Sequence, residues 1–267
     1  AYVGGTSGLI YGFVIDGFYT VADFESFDSK SRTWKLKEGV VDSSPLSDTP
    51  RPGNAKFKKL TPVDPNSTNP YQLTEADRTV IGNTTPKFSG GFGLNATYKG
   101  FDMSMFFNFM YDFDVLNANK IMLTTWADNK ENNFLMDIAS DKRWRNFDDM
   151  GNEIRYSPEV LAEFNKNATM WNPTSIGRPI CMSYAVEDGS FLRLNSATLG
   201  YTLPSVWTKK VGLSKVRFYV SGNNLFTLTG YSGYDPEVNI ATGLTPNIDY
   251  NRYPRSRTYT FGAQLTF

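Results

Sequence analysis

The sequence predicts an all-β fold: antiparallel strands of a large transmembrane β-barrel, joined by short turns on one side and long extracellular loops on the other. Three stretches carry that expectation. From Thr258 to Phe267 the odd positions are Tyr259, Phe261, Ala263, Leu265 and Phe267, while the even ones are Thr258, Thr260, Gly262, Gln264 and Thr266. From Phe88 onward, Phe88, Phe92, Leu94, Ala96 and Tyr98 alternate with Ser89, Gly91, Gly93, Asn95 and Thr97. After Lys99-Gly100, Phe101, Met103, Met105, Phe107, Phe109 and Tyr111 alternate with Asp102, Ser104, Asn108 and Asp112. A period of two marks a strand with unlike faces. At about 3.3 Å per residue and a tilt near 45°, roughly ten residues cross the hydrocarbon core of a bilayer, and each stretch has that length. One face then suits lipid, and the small polar face suits a wet interior.

In chain order, the first long loop covers about residues 19–86, rich in Ser, Asp, Lys and Pro. Strands at about 87–98 and 101–112 follow as a hairpin. A two-residue turn at Lys99-Gly100 sets Tyr98 opposite Phe101, Ala96 opposite Met103 and Leu94 opposite Met105, so that cross-strand partners share a face. Phe106 and Met110 fall on the polar face as fillers of the interior. A second loop, about 113–189, holds Trp126, Trp144 and Trp171 and a helix expected near 115–140.

Ala197, Leu199, Tyr201 and Leu203 alternate with Ser196, Thr198, Gly200 and Thr202, giving a strand at about 191–203 that stops at Pro204. Val216, Phe218 and Val220 alternate with Arg217, Tyr219 and Ser221 in a strand at about 215–227. Between them, Trp207 and Lys209-Lys210 suit an interfacial turn. A third loop, about 229–256, leads to the final strand at about 257–267. Segments too long for hairpins thus alternate with short turns. Parity puts the loops outside the cell and Phe267 at the periplasmic rim.

Composition narrows the chemistry. Lys+Arg 27 against Asp+Glu 27 in 267 residues gives no net charge, so attraction to nucleic acid is not indicated. Histidine is absent, which excludes His-based triads, His zinc ligands and histidine pH switches within this chain. The lone Cys181 cannot form an internal disulfide and has no histidine to activate it, so it reads as a buried or incidental thiol. No run approaches the eighteen or so apolar residues of a membrane helix, which says nothing against a barrel. The opening Ala1-Tyr2-Val3-Gly4-Gly5 has no signal-peptide pattern, and five strands cannot close a barrel in lipid. The expectation is a segment of a longer polypeptide.

Several stretches resemble, in order, the C-terminal part of the SusC/RagA-type TonB-dependent outer-membrane transporters. They are Tyr11-Gly12-Phe13 through Asp16-Gly17-Phe18-Tyr19, and Asp77-Arg78-Thr79-Val80-Ile81-Gly82-Asn83 running into Thr85-Pro86-Lys87-Phe88. Then come Tyr98-Lys99-Gly100-Phe101-Asp102, Glu187-Asp188-Gly189-Ser190-Phe191-Leu192-Arg193-Leu194 and Leu199-Gly200-Tyr201-Thr202-Leu203-Pro204. Asn223-Asn224-Leu225-Phe226, Tyr231-Ser232-Gly233-Tyr234-Asp235-Pro236-Glu237-Val238 and Tyr253-Pro254-Arg255-Ser256-Arg257 complete the set.

The resemblance implies a barrel of about 22 strands, of which these would be the last five, and a plug domain absent from this chain. It implies import of large nutrients, oligosaccharide or peptide, across the outer membrane of a Gram-negative bacterium. The implied partners are a SusD-like surface lipoprotein, the remaining N-terminal barrel and plug, the TonB complex, the substrate and the lipid bilayer. It implies no catalysed reaction and no cofactor. By the same analogy Phe267 ends the assembly signal for barrel insertion.

Candidate ligand residues come from the loops. Tyr234, Asp235 and Glu237, beside Tyr231, pair carboxylates with aromatics, which suits sugar hydroxyls and rings; Asp-Pro is equally a turn former, and aromatics also pack loops. Trp126, Trp144 and Trp171 invite the same two readings. Asp141-Lys142-Arg143-Trp144-Arg145 is a local basic patch, read as solvated or paired. Asp64, Asn66 and Thr68, followed by Asp77, approach an oxygen-ligand calcium loop, but without its glycine and with longer spacing, so an ordinary polar turn is the better reading and no metal is expected. Tyr98, Phe101, Tyr201, Trp207 and Phe267 form the expected periplasmic aromatic girdle. Two other classes compete: a soluble carbohydrate-binding β-sandwich, which needs the same alternation, and a glycosidase using Asp148-Asp149 and Glu153.

Overall fold

The computed structural model describes residues 7–125, 134–139, 141–238, 247–250 and 253–267. In chain order the strands are β1 (Leu9–Gly12), β2 (Ile15–Phe18), β3 (Phe24–Asp28), β4 (Thr33–Leu36), β5 (Ala55–Phe57), β6 (Thr79–Asn83), β7 (Phe88–Tyr98), β8 (Phe101–Tyr111) and β9 (Asp114–Asn117). After helices α1 (Ala118–Met122) and α2 (Pro158–Phe164) come β10 (Val186–Asp188), β11 (Phe191–Thr202), helix α3 (Ser205–Thr208), β12 (Lys215–Thr229), β13 (Ile248–Asp249) and β14 (Thr258–Thr266). Two units are formed, Ala1–Gly82 with Leu116–Val186, and Asn83–Val115 with Glu187–Phe267.

The second unit is built on one antiparallel sheet in the order β14-β12-β11-β8-β7. The register turns alternation into rows. Ala96, Met103, Leu199, Val220 and Phe261 pair in succession across all five strands. So do Leu94, Met105, Ala197, Gly222 and Tyr259, and likewise Tyr98, Phe101, Tyr201, Phe218 and Ala263. Each row is apolar or small because facing residues in an antiparallel ladder share a side. Lys99 and Gly100 have φ of 46° and 89°, as the type I′ turn between β7 and β8 demands.

The pattern breaks at one place. Leu194 pairs with Phe107 and Ser196 with Phe106, leaving Asn195 as the extra residue of a β-bulge in β11. The bulge inverts the parity: Leu192 and Leu194 join the apolar face of Ala197 and Leu199, and Arg193 moves to the polar face. Phe106, the polar-face exception, lies over glycine: a Cβ on Gly91 would sit 2.8 Å from its Cζ.

Phe88, Leu94, Leu199 and Phe261 on the apolar face are all exposed among the described residues. A β-sandwich would set a second sheet about 10 Å above such a face. β7 and β14 each have one neighbour, so the five strands make an open sheet, not a closed barrel of 22 strands.

The segments of the first unit carry short strands and packed clusters. β2 pairs with β5 and β3 with β4. One apolar cluster joins Phe13, Phe57, Leu73, Trp171, Ile176 and Met182; another joins Trp144, Ile154 and Leu161 with Phe18 and Trp34. Each fully buried large side chain contributes roughly 1.5–3 kcal/mol over its exposed state. The strands here are three to five residues long, too short to show a period.

Of the helix expected near 115–140, the described residues show α1 and a short 3-10 turn at Met136–Ile138, while residues 126–133 and 140 lie outside them. Asp114–Asn117 is strand, and α1 ends at Met122. Asn117 caps α1 by accepting from the Lys120 amide. Beyond it, the Thr124 and Thr125 hydroxyls donate to the carbonyls of Lys120 and Ile121, competing locally with helix continuation.

Candidate functional site

In the second unit the loop after β12 folds against the polar face of β11. Arg193, 1% exposed, donates Nη2 to Asp235 Oδ1 at 2.5 Å and lies 3.7 Å from Glu237 Oε2. Asp235 Oδ1 also accepts the Glu237 amide, and Glu237 Oε1 pairs with Arg255 at 2.8 Å. Beside this cluster lies a cavity of about 270 Å³, with Met110 and Phe113 as apolar wall and Glu237, Asn247, Tyr253 and Arg255 as polar wall.

The base of the same loop is fixed separately. Tyr231 donates its phenol to Asp249, and Ser232 donates its amide and hydroxyl to Glu187. Burial, then the neighbouring Asp249 carboxylate, push the Tyr231 phenol above its ordinary value. The site offers packing and charged hydrogen bonds. Its two expected ligand carboxylates are already engaged by arginine.

The remaining candidates divide. Tyr234 is exposed. Trp144 and Trp171 are buried, so neither indole offers a face to a sugar: Trp144 lies on Gly53, where a Cβ would come within 2.1 Å of the ring, and Trp171 meets Tyr184 edge-on at 4.9 Å. Trp126 lies outside the described residues. The basic patch splits as well: Arg145 pairs with Asp149, while Arg143 donates to the Ile138 carbonyl.

Asp77, in the first unit, is fully buried. Its Oδ1 accepts from the Leu60 and Thr61 amides and the Thr61 hydroxyl at 2.7–2.9 Å; its Oδ2 accepts from the Thr74 amide and hydroxyl and lies 3.4 Å from Lys59 Nζ. Burial alone would raise this carboxyl, but the Thr61, Thr74 and Leu60 donors outweigh it and hold it well below the usual range. Asp64 instead accepts the Asn66 amide in a local turn. Among the described residues no three His, Cys, Asp or Glu side chains gather as a metal site. Burial pushes the Cys181 thiol up, against a smaller opposite effect of Arg78.

Tyr98, Phe101, Tyr201, Trp207 and Phe267 all lie at the turn end of the five-stranded sheet. Tyr98 pairs with Phe101, and Phe101 meets Tyr201 with centroids 4.5 Å apart. Trp207 is on α3 in the adjoining connection, and Phe267 follows β14. Sequence reasoning missed Arg193 and Arg255 as partners of the loop carboxylates. The one available signal was an arginine inside a strand motif, whose face depended on the bulge.

No family model matches the chain. The chain is 33% identical over 266 residues to TonB-dependent receptor P3 of Formosa agariphila, an alignment covering 97% of this chain and 22% of that protein. It is 38% identical over 88 residues to TonB-dependent receptor SusC of Bacteroides thetaiotaomicron, covering 32% of this chain and 8% of that protein. Among solved structures, the RagAB peptide transporter matches with a TM-score of 0.58 at 22% identity, over 98% of this chain and 23% of that one. The RagAB peptide importer in its open-open state matches at 0.54 over 96% of this chain. At that identity the likeness is one of fold. The class that the fold defines is therefore the antiparallel sheet of the RagAB structures. The chain belongs to the TonB-dependent receptors, and it spans about a fifth of the length of the curated relatives it matches across nearly its whole length.

Proposed function

We propose that this chain is part of the barrel wall and of the substrate-chamber loops of an outer-membrane transporter. The transporter imports large nutrients, oligosaccharide or peptide, driven by the TonB complex and lidded by a SusD-like surface lipoprotein. The observation that carries the reading is the five-strand register, which gives an apolar face in continuous rows over strands of bilayer-spanning length, with a small polar face behind. The names of the relatives, receptors and a peptide importer, support transport over catalysis. The aromatic cluster at the turn end suits the periplasmic interface. The long segments at about 19–86, 113–189 and 229–256 are then the extracellular loops of the chamber, with exposed Tyr234 facing substrate.

The test uses the full-length protein. It should be extracted from the outer membrane only by detergent, and uptake of its nutrient should stop when TonB is removed. A protein soluble without detergent would sink the barrel reading. Uptake that survives loss of TonB would sink the energy coupling.

A further inference from the structure

The first unit holds two adjoining cavities, each with three arginines in its wall. The smaller, of about 60 Å³, is lined by Arg32, Arg51 and Arg155 with Asp48, Asn54 and Tyr156. The larger, of about 440 Å³, is lined by Arg143, Arg145 and Arg155 with Asp148, Phe147 and Asn172. They share Asn146, Arg155 and Thr174 in their linings, so they lie side by side. The chain as a whole is neutral, so the local accumulation is not a property of composition.

Glu153 pairs with Arg155 and Asp149 with Arg145. Asp148 is occupied by its own turn, accepting from the Met150 and Asn152 amides and from the Asn152 side chain. That leaves Asp48 against Arg32, Arg51 and Arg143, none of which has a carboxylate within ion-pair distance among the described residues. Arg32 is instead held over the Tyr156 ring at 4.7 Å, with Arg155 over the same ring at 5.6 Å. Two guanidinium groups are thereby ordered by one aromatic ring beside the small cavity.

We infer that this pair of cavities binds an anionic oligosaccharide, with a sulfate or carboxylate group in the small cavity and its sugar rings in the larger. Guanidinium forks match planar carboxylates and tetrahedral oxyanions bidentately. The small cavity has room for an oxyanion but not for a ring, since a water needs roughly 10–15 Å³ of such volume. The walls of the larger one supply amides and a hydroxyl from Asn146, Asn172 and Thr174 and an exposed ring from Phe147, groups that meet sugar hydroxyls and C–H faces. The inference rests on the chain being part of an importer, and narrows its substrate to an acidic glycan rather than a peptide.

The test measures binding to the purified full-length receptor by calorimetry. Its probes are a sulfated oligosaccharide, an oligouronate, a neutral oligosaccharide of equal length and an acidic peptide. At least one anionic glycan should bind about tenfold tighter than the neutral one, with the advantage shrinking as salt rises from about 0.05 to 0.5 M. Which anionic glycan binds separates sulfate from carboxylate. Arg51→Gln and Arg32→Gln should each weaken that binding about fivefold or more, and Arg51→Lys less, because charge remains while the fork is lost. Folding of each variant is read from its heat-modifiable migration, and discrimination by the unaltered protein needs no variant. Equal affinity for neutral and anionic glycans, indifference to both glutamine variants, or binding of the peptide alone would overturn the inference. TonB-dependent uptake without charge preference would overturn it while leaving import intact. A soluble protein that still binds the anionic glycan would do the reverse.

Discussion

Arg193 of β11 and Asp235, 42 residues later, form a buried ion pair that fixes the loop after β12 to the polar face of the sheet. The side chains are 2% and 12% exposed, so most of the water that would screen the pair is excluded. A buried guanidinium is costly without a partner, and its geometry persists because the carboxylate and the Glu237 charge are there to meet it. The loop is thereby tied to the sheet by the same residues that a sequence reading assigns to ligand.

Asp235→Ala should therefore release the loop. Removing one partner of a buried pair costs about 3–5 kcal/mol, with the lower end expected here because Glu237 remains 3.7 Å away. Hydrogen exchange on the full-length protein should show residues 231–238 losing protection. The double change Arg193→Met with Asp235→Leu should recover much of it, since no unpaired charge is left. Unaltered exchange in Asp235→Ala would mean that Tyr231–Asp249 and Ser232–Glu187 suffice to hold the loop.

Asp77 predicts a pH dependence. Its folded-state carboxyl lies below the ordinary value of 3.8, so as pH falls the unfolded chain takes up the proton first. The stabilisation is complete above about pH 4 and is lost as pH falls further through the folded-state value. Asp77→Asn presents an amide N–H to donors and should cost about 3 kcal/mol at neutral pH. Exchange protection at residues 59–62 and 74–78 should differ between wild type and variant at pH 7, and the difference should begin to shrink only as pH falls below about 4, closing as it approaches the folded-state value. A constant difference would show that the charge of Asp77 is not what its donors stabilise.

The sheet was legible in the sequence and the first unit was not, for one physical reason. Residues of β7 and β8 carry their pairing in a local period, and Lys99-Gly100 fixes the register within a dozen residues. Phe13, Phe57 and Met182 meet only through long-range contacts, and nothing in the neighbours of Phe57 announces Met182. The bulge at Asn195 stands between these cases: its effect on Leu192 and Leu194 is visible as a broken alternation, but the face given to Arg193 follows only once the register is known. Trp144 and Trp171 show the same limit, because an indole's identity is equally good for a core and for a sugar platform.

Glycines on the polar face predict an assembly defect. Arg217 crosses over Gly200 to pair bidentately with Asp102, Nε to Oδ1 at 2.9 Å and Nη2 to Oδ2 at 2.5 Å. A Cβ on Gly200 would lie 2.4 Å from Arg217 Nη2, whereas one on Gly230 would meet nothing within 4 Å. Gly200→Val should displace the guanidinium and cost about 1–3 kcal/mol by overpacking, lowering the heat-modifiable folded fraction of the full-length protein. Gly230→Ala should leave that fraction unchanged. Equal behaviour of the two would show that the Arg217–Asp102 bridge can relocate without penalty.

Adjacent residues of one strand should separate the two faces. Met105 pairs with Leu94 and Ala197 in an apolar row, while its neighbour Ser104 pairs with Asn95 and Thr198 on the other side. Lysine on the lipid face near the middle of a bilayer costs about 2–4 kcal/mol, but lysine towards a wet interior keeps its hydration. Met105→Lys should therefore cut the amount of folded receptor in the outer membrane severalfold, and Ser104→Lys should cut it far less. Both changes add the same charge to the same strand at nearly the same depth, so propensity and net charge cancel in the comparison. A larger loss from Ser104→Lys would place the apolar rows against protein and not lipid, and the face assigned to the bilayer would have to be exchanged.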